Sequence, residues 1–264
     1  MSHIAAFFDI DGTLLPSPSL ERRFLAYLKW RGELRASNWL RWPTEFARLI
    51  AAGRDTRSAT VANKAHLRGV ACANMDAWLA WLRRSPLTFY PDALARIEWH
   101  RANCHRIFLV SGTLQPLADA VARQLRIFDH GPATATRLDT ASKKWTGRLL
   151  GDHISGDAKA VAVLRLARQY DLDLSRSYAY ADSFSDADFL DCVAHPAAVN
   201  PSARLAQAAR ARNWPIFRWL MPSGTSTLAC PHESERGNTA AEASVPTTAD
   251  VFRLHVERMA LHRP

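Results

Sequence analysis

Four stretches of the chain hold the side chains with the most chemistry in them. Asp9-Ile10-Asp11-Gly12-Thr13 sets two carboxylates two residues apart ahead of turn residues, and Asp182-Ser183-Phe184-Ser185-Asp186 sets two more four residues apart. Ser111-Gly112-Thr113 offers hydroxyls beside a glycine amide, and Lys159 adds a cation. Carboxylates crowded together repel and resist ionisation unless a cation neutralises them. Hard divalent ions do this through oxygen ligands, and hydroxyls, amides and an ammonium suit an oxyanion. Taken singly, each stretch has a plainer reading. Acidic residues at strand ends are common, Ser-Gly is a frequent turn, and a lone lysine on a helix is normally a solvent-facing charge.

The surrounding pattern predicts strands that end on these stretches. His3 to Ile10 is a short apolar run closing on a carboxylate and turn residues, which reads as a buried strand delivering Asp9 to its carboxyl edge. Arg106 to Val110 reads the same way before Ser111, and Ser177 to Ala181 before the acidic loop at Asp182. Helices are expected over Pro91 to Arg101, Leu117 to Leu125, Lys159 to Tyr170 and Ser202 to Arg212, with a short one after Asp186. A further strand is expected at Ala197 to Val199 and a hairpin over Thr134 to Leu150. Strands alternating with helices imply an α/β fold with a doubly wound parallel sheet and a site at the carboxyl ends of its strands. Between them, the stretches Leu20 to Trp30, Trp39 to Ala52, Ser58 to Val70 and Met75 to Arg84 repeat apolar residues at helical intervals, broken near Gly32, Pro43, Gly53 and Pro86. The expected organisation is a core made by residues 1–14 and 88–221, a helical insert over 15–87, and a flexible tail over 222–264 with a terminal helix from Ala249 to His262.

Composition bounds the class. A chain of 264 residues, 48% apolar and 22% charged, is globular rather than disordered, collagen-like or disulfide-stapled. Cys72, Cys104, Cys192 and Cys230 stand far apart without zinc spacing, so reduced thiols and no disulfide are expected. The N-terminus shows no basic export segment, and no apolar run reaches a membrane span, so a cytoplasmic protein is expected. The net charge of +9 invites a nucleic-acid reading, but the excess is concentrated in one segment: Leu14 to Tyr90 carries 13 basic against 5 acidic side chains. That segment has no long like-charge run, and its basic residues alternate with aromatics, which reads as a solvated helical face or a positive lid over an anion. No nucleic-acid partner is expected.

In this order and at these strand ends, the four stretches resemble the motifs of the haloacid dehalogenase-like (HAD) hydrolase superfamily, over Ile4 to about Trp219. Ser177 to Ser183 followed by His195-Pro196-Ala197-Ala198-Val199-Asn200-Pro201 is similar, more narrowly, to subfamily IB, whose members include phosphoserine phosphatase. The resemblance implies a Rossmann-like core, a mobile cap made by the helical insert, and a Mg²⁺-dependent phosphatase of small phosphorylated metabolites. Asp9 would attack phosphorus and form an aspartyl-phosphate. Asp11 would protonate the leaving alkoxide and then deprotonate the attacking water. Ser111, the Gly112 amide and Lys159 would bind phosphoryl oxygens. Asp9, the Asp11 backbone carbonyl and Asp182 would hold Mg²⁺, with Asp186 on a metal-bound water or orienting Asp182. An acid at Asp11, where transport ATPases of the superfamily carry threonine, favours phosphate esters over halides. Ala181 departs from the glycine usual before the metal aspartate. A phosphotransferase of the same fold is the alternative.

For the cap, the resemblance turns attention to Glu21, Arg54, Lys64 and Arg68 as readers of the leaving group, because phosphoserine phosphatase-like relatives grip their substrate with a cap glutamate and arginine. Glu21 lies later than that pattern expects and the insert is longer. Trp30, Trp39, Trp42, Trp78 and Trp81 read as the insert's own core, or as an apolar pocket for an amphiphilic or ring-bearing ester. Trp39-Leu40-Arg41-Trp42 near Arg48 would also suit peripheral contact with anionic lipid, and so a lipid-like phosphate. Cys192, His195, His100 and His105 lack further partners at ligand spacing and read as structural.

Overall fold

Four consecutive apolar residues with no exposed side chain make the first strand the centre of the molecule. The computed structural model describes residues 2–34, 36–127 and 133–222. Its strands are β1 (Ala5–Phe8), β2 (Arg106–Leu114), β3 (Thr134–Thr136), β4 (Leu138–Ala141), β5 (Lys144–Leu149), β6 (Tyr178–Ala181), β7 (His195–Val199) and β8 (Ile216–Phe217). Six of them form one parallel sheet in the order β3-β2-β1-β6-β7-β8, and β4 and β5 form an antiparallel hairpin. Along β1, Ala6 and Phe8 enter the core on one face while Ala5 and Phe7 enter the core on the other, as the strand period requires. The order reverses direction at β1, so the crevice beyond its carboxyl end, between β2 and β6, is where such a sheet binds ligands.

Helices cover both faces. The core containing Phe7 is closed by α8 (Asp157–Tyr170), α9 (Ala187–Asp191) and α10 (Ala203–Ala211). The core containing Phe8 is closed by α6 (Pro91–Ala102) and α7 (Gln115–Gln124) and continues without a break into the insert, through Phe24 and Leu28 of α1 (Leu20–Trp30) and Trp78 of α5 (Cys72–Leu82). Between α1 and α5 lie α2 (Ala36–Leu40), α3 (Trp42–Ala51), α4 (Thr56–Ala62) and a 3₁₀ turn, Ala65–Leu67.

Several local details differ from the sequence expectation. The stretch Trp39 to Ala52 is two helices, with Pro43 in the first turn of α3, where a missing N–H costs nothing. Ser58 to Val70 also divides: α4 stops at Ala62, and Asn63 redirects the chain by donating from Nδ2 to the Trp42 carbonyl (2.8 Å) while its Oδ1 accepts from the Ala65 N–H (3.1 Å). Thr134 to Thr136 joins the main sheet beside β2 rather than the hairpin, and β8 is an edge strand without a sequence counterpart in the reading above. The tail and terminal helix expected beyond Pro222 lie outside the described residues. No helix among the described residues is long and apolar enough to cross a membrane.

The hairpin is docked on the insert. Gly69 N–H donates to the Trp145 carbonyl, Trp145 N–H to the Val70 carbonyl, and Cys72 N–H to the Lys143 carbonyl, at 2.8, 3.0 and 2.9 Å. Trp145 buries its ring in the core against Phe24, with centroids 5.7 Å apart.

Candidate active site

The end of β1 fixes Asp9. Its N–H donates to the Tyr180 carbonyl at 3.0 Å, so pairing with β6 runs through the residue and leaves its carboxylate in the crevice, 5% exposed. Asp182 follows the last residue of β6, and Asp186 ends the 3₁₀ turn Phe184–Asp186. Carboxylate oxygens of Asp9, Asp182 and Asp186 all lie within 4.8 Å of one another. Lys159, in the first turn of α8 and 3% exposed, reaches between them, with Nζ 2.9 Å from Asp9 Oδ1 and 2.9 Å from Asp186 Oδ2.

The electrostatics follow from that crowding. Burial, then the Asp9 and Asp186 carboxylates, push the Asp182 pKa well above the carboxylate range, with Lys159 pulling the other way. Burial also disfavours the Lys159 charge, but Asp186 and Asp9 outweigh it and raise its pKa above the usual lysine value. One ammonium among three carboxylates leaves an excess of negative charge in a site made of oxygen donors. That donor set fits a hard divalent cation such as Mg²⁺. Gly12 is required here: at φ +87° it closes the turn over Asp182, and a Cβ on it would stand 2.3 Å from Asp182 Oδ2.

Asp11 is held differently. Its Oδ1 accepts from the Leu20 N–H at 2.7 Å, tying it to the N-terminus of α1 and leaving Oδ2 for other partners. Burial raises its pKa to about 7, against the lowering effect of the Leu20 N–H and with further upward pushes from Asp9 and Glu21. Ser111 and Gly112 sit where pairing between β2 and β3 becomes irregular, and the Gly112 carbonyl accepts from Thr136 Oγ1 at 2.8 Å. Ala181, where a glycine was the expected residue, is fully buried in the core and paired with Ala198 of β7.

The four carboxylates, Lys159, Ser111 and Gly112 line one cavity of about 560 Å³ together with side chains of the insert. Of the four leaving-group readers named from the sequence, Glu21 and Lys64 line it and are bonded to each other, whereas Arg54 and Arg68 are not among its lining residues. Arg54 instead faces Asp152 at 3.5 Å. Trp39 and Trp42 also line the cavity, while Trp78 is fully buried in the core and Trp30 is 47% exposed. Among the lining residues that escaped the sequence reading are Asn63, His66 and His153. His153 accepts from or donates to Ser155 Oγ through Nδ1 at 2.8 Å and presses its Cε1 against Gly112, 3.0 Å from where a Cβ would stand. Isolated polar residues of this kind carry no spacing signal; only the break after α4 and the hairpin bring them inward.

Comparison with known proteins supplies the lineage. A family model for haloacid dehalogenase-like hydrolase matches residues 6–191. Phosphoserine phosphatase SerB1 of Mycobacterium tuberculosis is 31% identical over 241 residues, covering 86% of this chain and 74% of that protein. A protein of unknown function from Bordetella pertussis superposes with a TM-score of 0.64 at 26% identity, covering 82% of this chain and 99% of the other. A probable phosphoserine phosphatase from Vibrio cholerae shares the fold, with a TM-score of 0.56 at 19% identity over 82% of this chain and 61% of its own. With matched residues running from β1 through the Asp182 loop, the chain belongs to the haloacid dehalogenase-like hydrolase family.

Proposed function

We propose that the chain is a Mg²⁺-dependent phosphatase that hydrolyses small organic phosphomonoesters through an aspartyl-phosphate on Asp9. The observation that carries this reading is the buried cluster in which Asp9, Asp182 and Asp186 converge around Lys159, with Asp11 beside it. The relationship to a protein named phosphoserine phosphatase supports the reaction class.

Asp9, Asp182 and Asp186, with the Asp11 carbonyl, would hold Mg²⁺, which when bound offsets the negative charge that phosphate brings to clustered carboxylates. Lys159 fixes the Asp9 carboxylate through Oδ1. Asp9 forms a bond to phosphorus as the ester O–P bond breaks. Asp11, whose raised pKa keeps a substantial protonated fraction near neutrality, gives its proton to the departing oxygen. Water then attacks phosphorus, Asp11 takes its proton back, and the Asp9–phosphorus bond breaks to release phosphate. Ser111, the Gly112 amide and Lys159 face the phosphoryl oxygens as donors, preorganised by burial. The insert acts as a cap that excludes water.

Release of p-nitrophenol from its phosphate, dependent on Mg²⁺, sensitive to EDTA and abolished in Asp9→Asn, is the expected result. Product partition in added alcohols then separates hydrolysis from phosphoryl transfer. Turnover that persists in Asp9→Asn overturns the proposal.

A further inference from the structure

Beside the glycine of the Ser111 loop, the cavity holds a ring nitrogen with nothing to bond. His153 is 9% exposed and lines the cavity from the segment between β5 and α8. Its Nδ1 shares a hydrogen bond of 2.8 Å with Ser155 Oγ, and its Nε2 has no hydrogen-bond partner among the described residues. Nor is Nε2 sealed off. The unpartnered side-chain polar atoms that are fully shielded from solvent are Thr13 Oγ1, both ring nitrogens of His66, Trp78 Nε1 and Thr113 Oγ1. A ligand in the cavity therefore has access to His153 Nε2.

The ring is placed by bonds to the loop it covers. Ile154 N–H donates to Thr136 Oγ1 at 3.2 Å, and that hydroxyl donates to the Gly112 carbonyl at 2.8 Å. Ser155 N–H closes back on the His153 carbonyl at 2.8 Å. The imidazole consequently lies against Gly112, where a Cβ would stand 3.0 Å from Cε1 and 3.6 Å from Nε2; glycine at this position makes room for the ring. Burial, then Lys64, Lys159 and Arg54, holds the His153 pKa down at about 3, so the ring is neutral at pH 7. Each of those three charges is a cation, and a spot surrounded by cations favours an anion. A neutral imidazole carries one N–H and one bare nitrogen. An anionic oxygen can only accept, so it selects the tautomer in which the Ser155 hydroxyl donates to Nδ1 and Nε2–H points at the anion.

We propose that His153 donates from Nε2 to a phosphoryl oxygen of the substrate, as a binding residue additional to Ser111, the Gly112 amide and Lys159. The inference rests on the phosphatase reading above and adds a donor to it. The bond is made to the phosphoryl group and not to the alcohol, so it is made equally to inorganic phosphate.

The test uses the full chain with Mg²⁺ and the competitive inhibition constant of inorganic phosphate against p-nitrophenyl phosphate, which does not depend on how much of a variant is folded. His153→Ala is expected to raise that constant by about tenfold, the size of one lost hydrogen bond to a charged group. His153→Phe, which keeps a ring against Gly112 but has no donor, should raise it as much. His153→Gln, which keeps an N–H at similar reach, should stay within about threefold of the unmodified protein. A constant unmoved by His153→Ala, or restored by phenylalanine and not by glutamine, overturns this inference and leaves the phosphatase reading standing. A folded protein that releases no p-nitrophenol overturns that reading. Urea unfolding with Mg²⁺, in phosphate against chloride at equal ionic strength, then decides on His153 without turnover. Phosphate should raise the midpoint of the unmodified protein more than those of His153→Ala and His153→Phe, and equal shifts in all three overturn the inference.

Discussion

Asp11 and Gly12 show how much of this site depends on single atoms. Asp11 Oδ1 is engaged by the Leu20 N–H, so only its second oxygen is available for proton transfer. Asp11→Asn keeps an acceptor for Leu20 but has no acidic proton, and is expected to reduce turnover of alkyl phosphates by about 10²- to 10⁴-fold. The kcat/KM of p-nitrophenyl phosphate should fall much less, because p-nitrophenolate leaves without protonation and this ratio stops short of the shared hydrolysis of the aspartyl-phosphate; equal losses in kcat/KM on both substrates would count against Asp11 as the acid. At Gly12 the constraint is steric. A methyl there meets Asp182 Oδ2 at 2.3 Å with the backbone at φ +87°. Gly12→Ala should lower unfolding free energy in urea by about 1–3 kcal/mol. Combining it with Asp182→Ala removes the clash but not the backbone strain, so the double variant should recover part of that loss relative to additivity. Three of the four motif stretches were legible in sequence because each is a local pattern, an apolar run meeting turn residues, and Lys159 only through its order within the family resemblance. His66 was not, because a lone histidine on a helical stretch has no pattern; its orientation depends on Asn63 bonding to Trp42, a contact across 21 positions.

Among the elements, the hairpin has the largest consequence that sequence periodicity leaves unread. Its turn is two residues, Ser142 and Lys143, both with positive φ (49° and 59°). That is the type I′ arrangement, usually announced by Asn-Gly or Gly-Gly. With neither present, alternation together with Lys143, Lys144 and Gly147 marked a hairpin, and the separate allegiance of β3 to the main sheet went unseen. Nor did anything local announce that β5 would dock on the 3₁₀ turn between α4 and α5. At that seam Gly147 has φ +80°, and a Cβ on it would lie 3.0 Å from Arg68 Cβ, 3.1 Å from Ala65 Cα and 3.2 Å from the Lys64 carbonyl. Two of those three are backbone atoms of the turn that presents Lys64 and His66, so the turn itself must move. Gly147→Ala is expected to destabilise the protein by about 1–2 kcal/mol and to raise KM for its substrates more than it lowers kcat, since the Asp9 cluster is held by β1, β6 and α8 rather than by this turn. A fall in kcat with KM unchanged would place the hairpin's influence on the chemistry instead.

At the scale of the molecule, the fold is a sheet with a core on each face, and one of those cores buries a histidine that must stay neutral. His100 is fully buried; its Nδ1 shares a proton with His105 Nδ1 at 2.9 Å and its Nε2 bonds the Tyr180 hydroxyl at 3.0 Å. The groups facing it are His105, Arg96, Tyr178, Tyr180 and Trp99, none of which carries a negative charge at neutral pH. Burial, followed by His105 and Arg96, lowers its pKa to about 3 from the ordinary value near 6.5. Above pH 6.5 the ring is neutral in both folded and unfolded chains, and acidification changes nothing through it. Below pH 6.5 the unfolded chain binds a proton that the folded one refuses, so stability is lost as pH falls, toward a limit of about 1.4 kcal/mol per pH unit. Other groups titrate over the same range, which makes the difference between two proteins more telling than either curve. His100→Gln keeps polar atoms but cannot take up the proton. It should be the less stable protein at pH 7.5, where it has only lost packing and hydrogen bonds, and should gain on the unmodified protein by about 2 kcal/mol between pH 7.5 and pH 5. Urea unfolding of both at several pH values reads this directly. Parallel curves would mean that His100 takes its proton in the folded state, and that the buried network opens on acidification rather than resisting it.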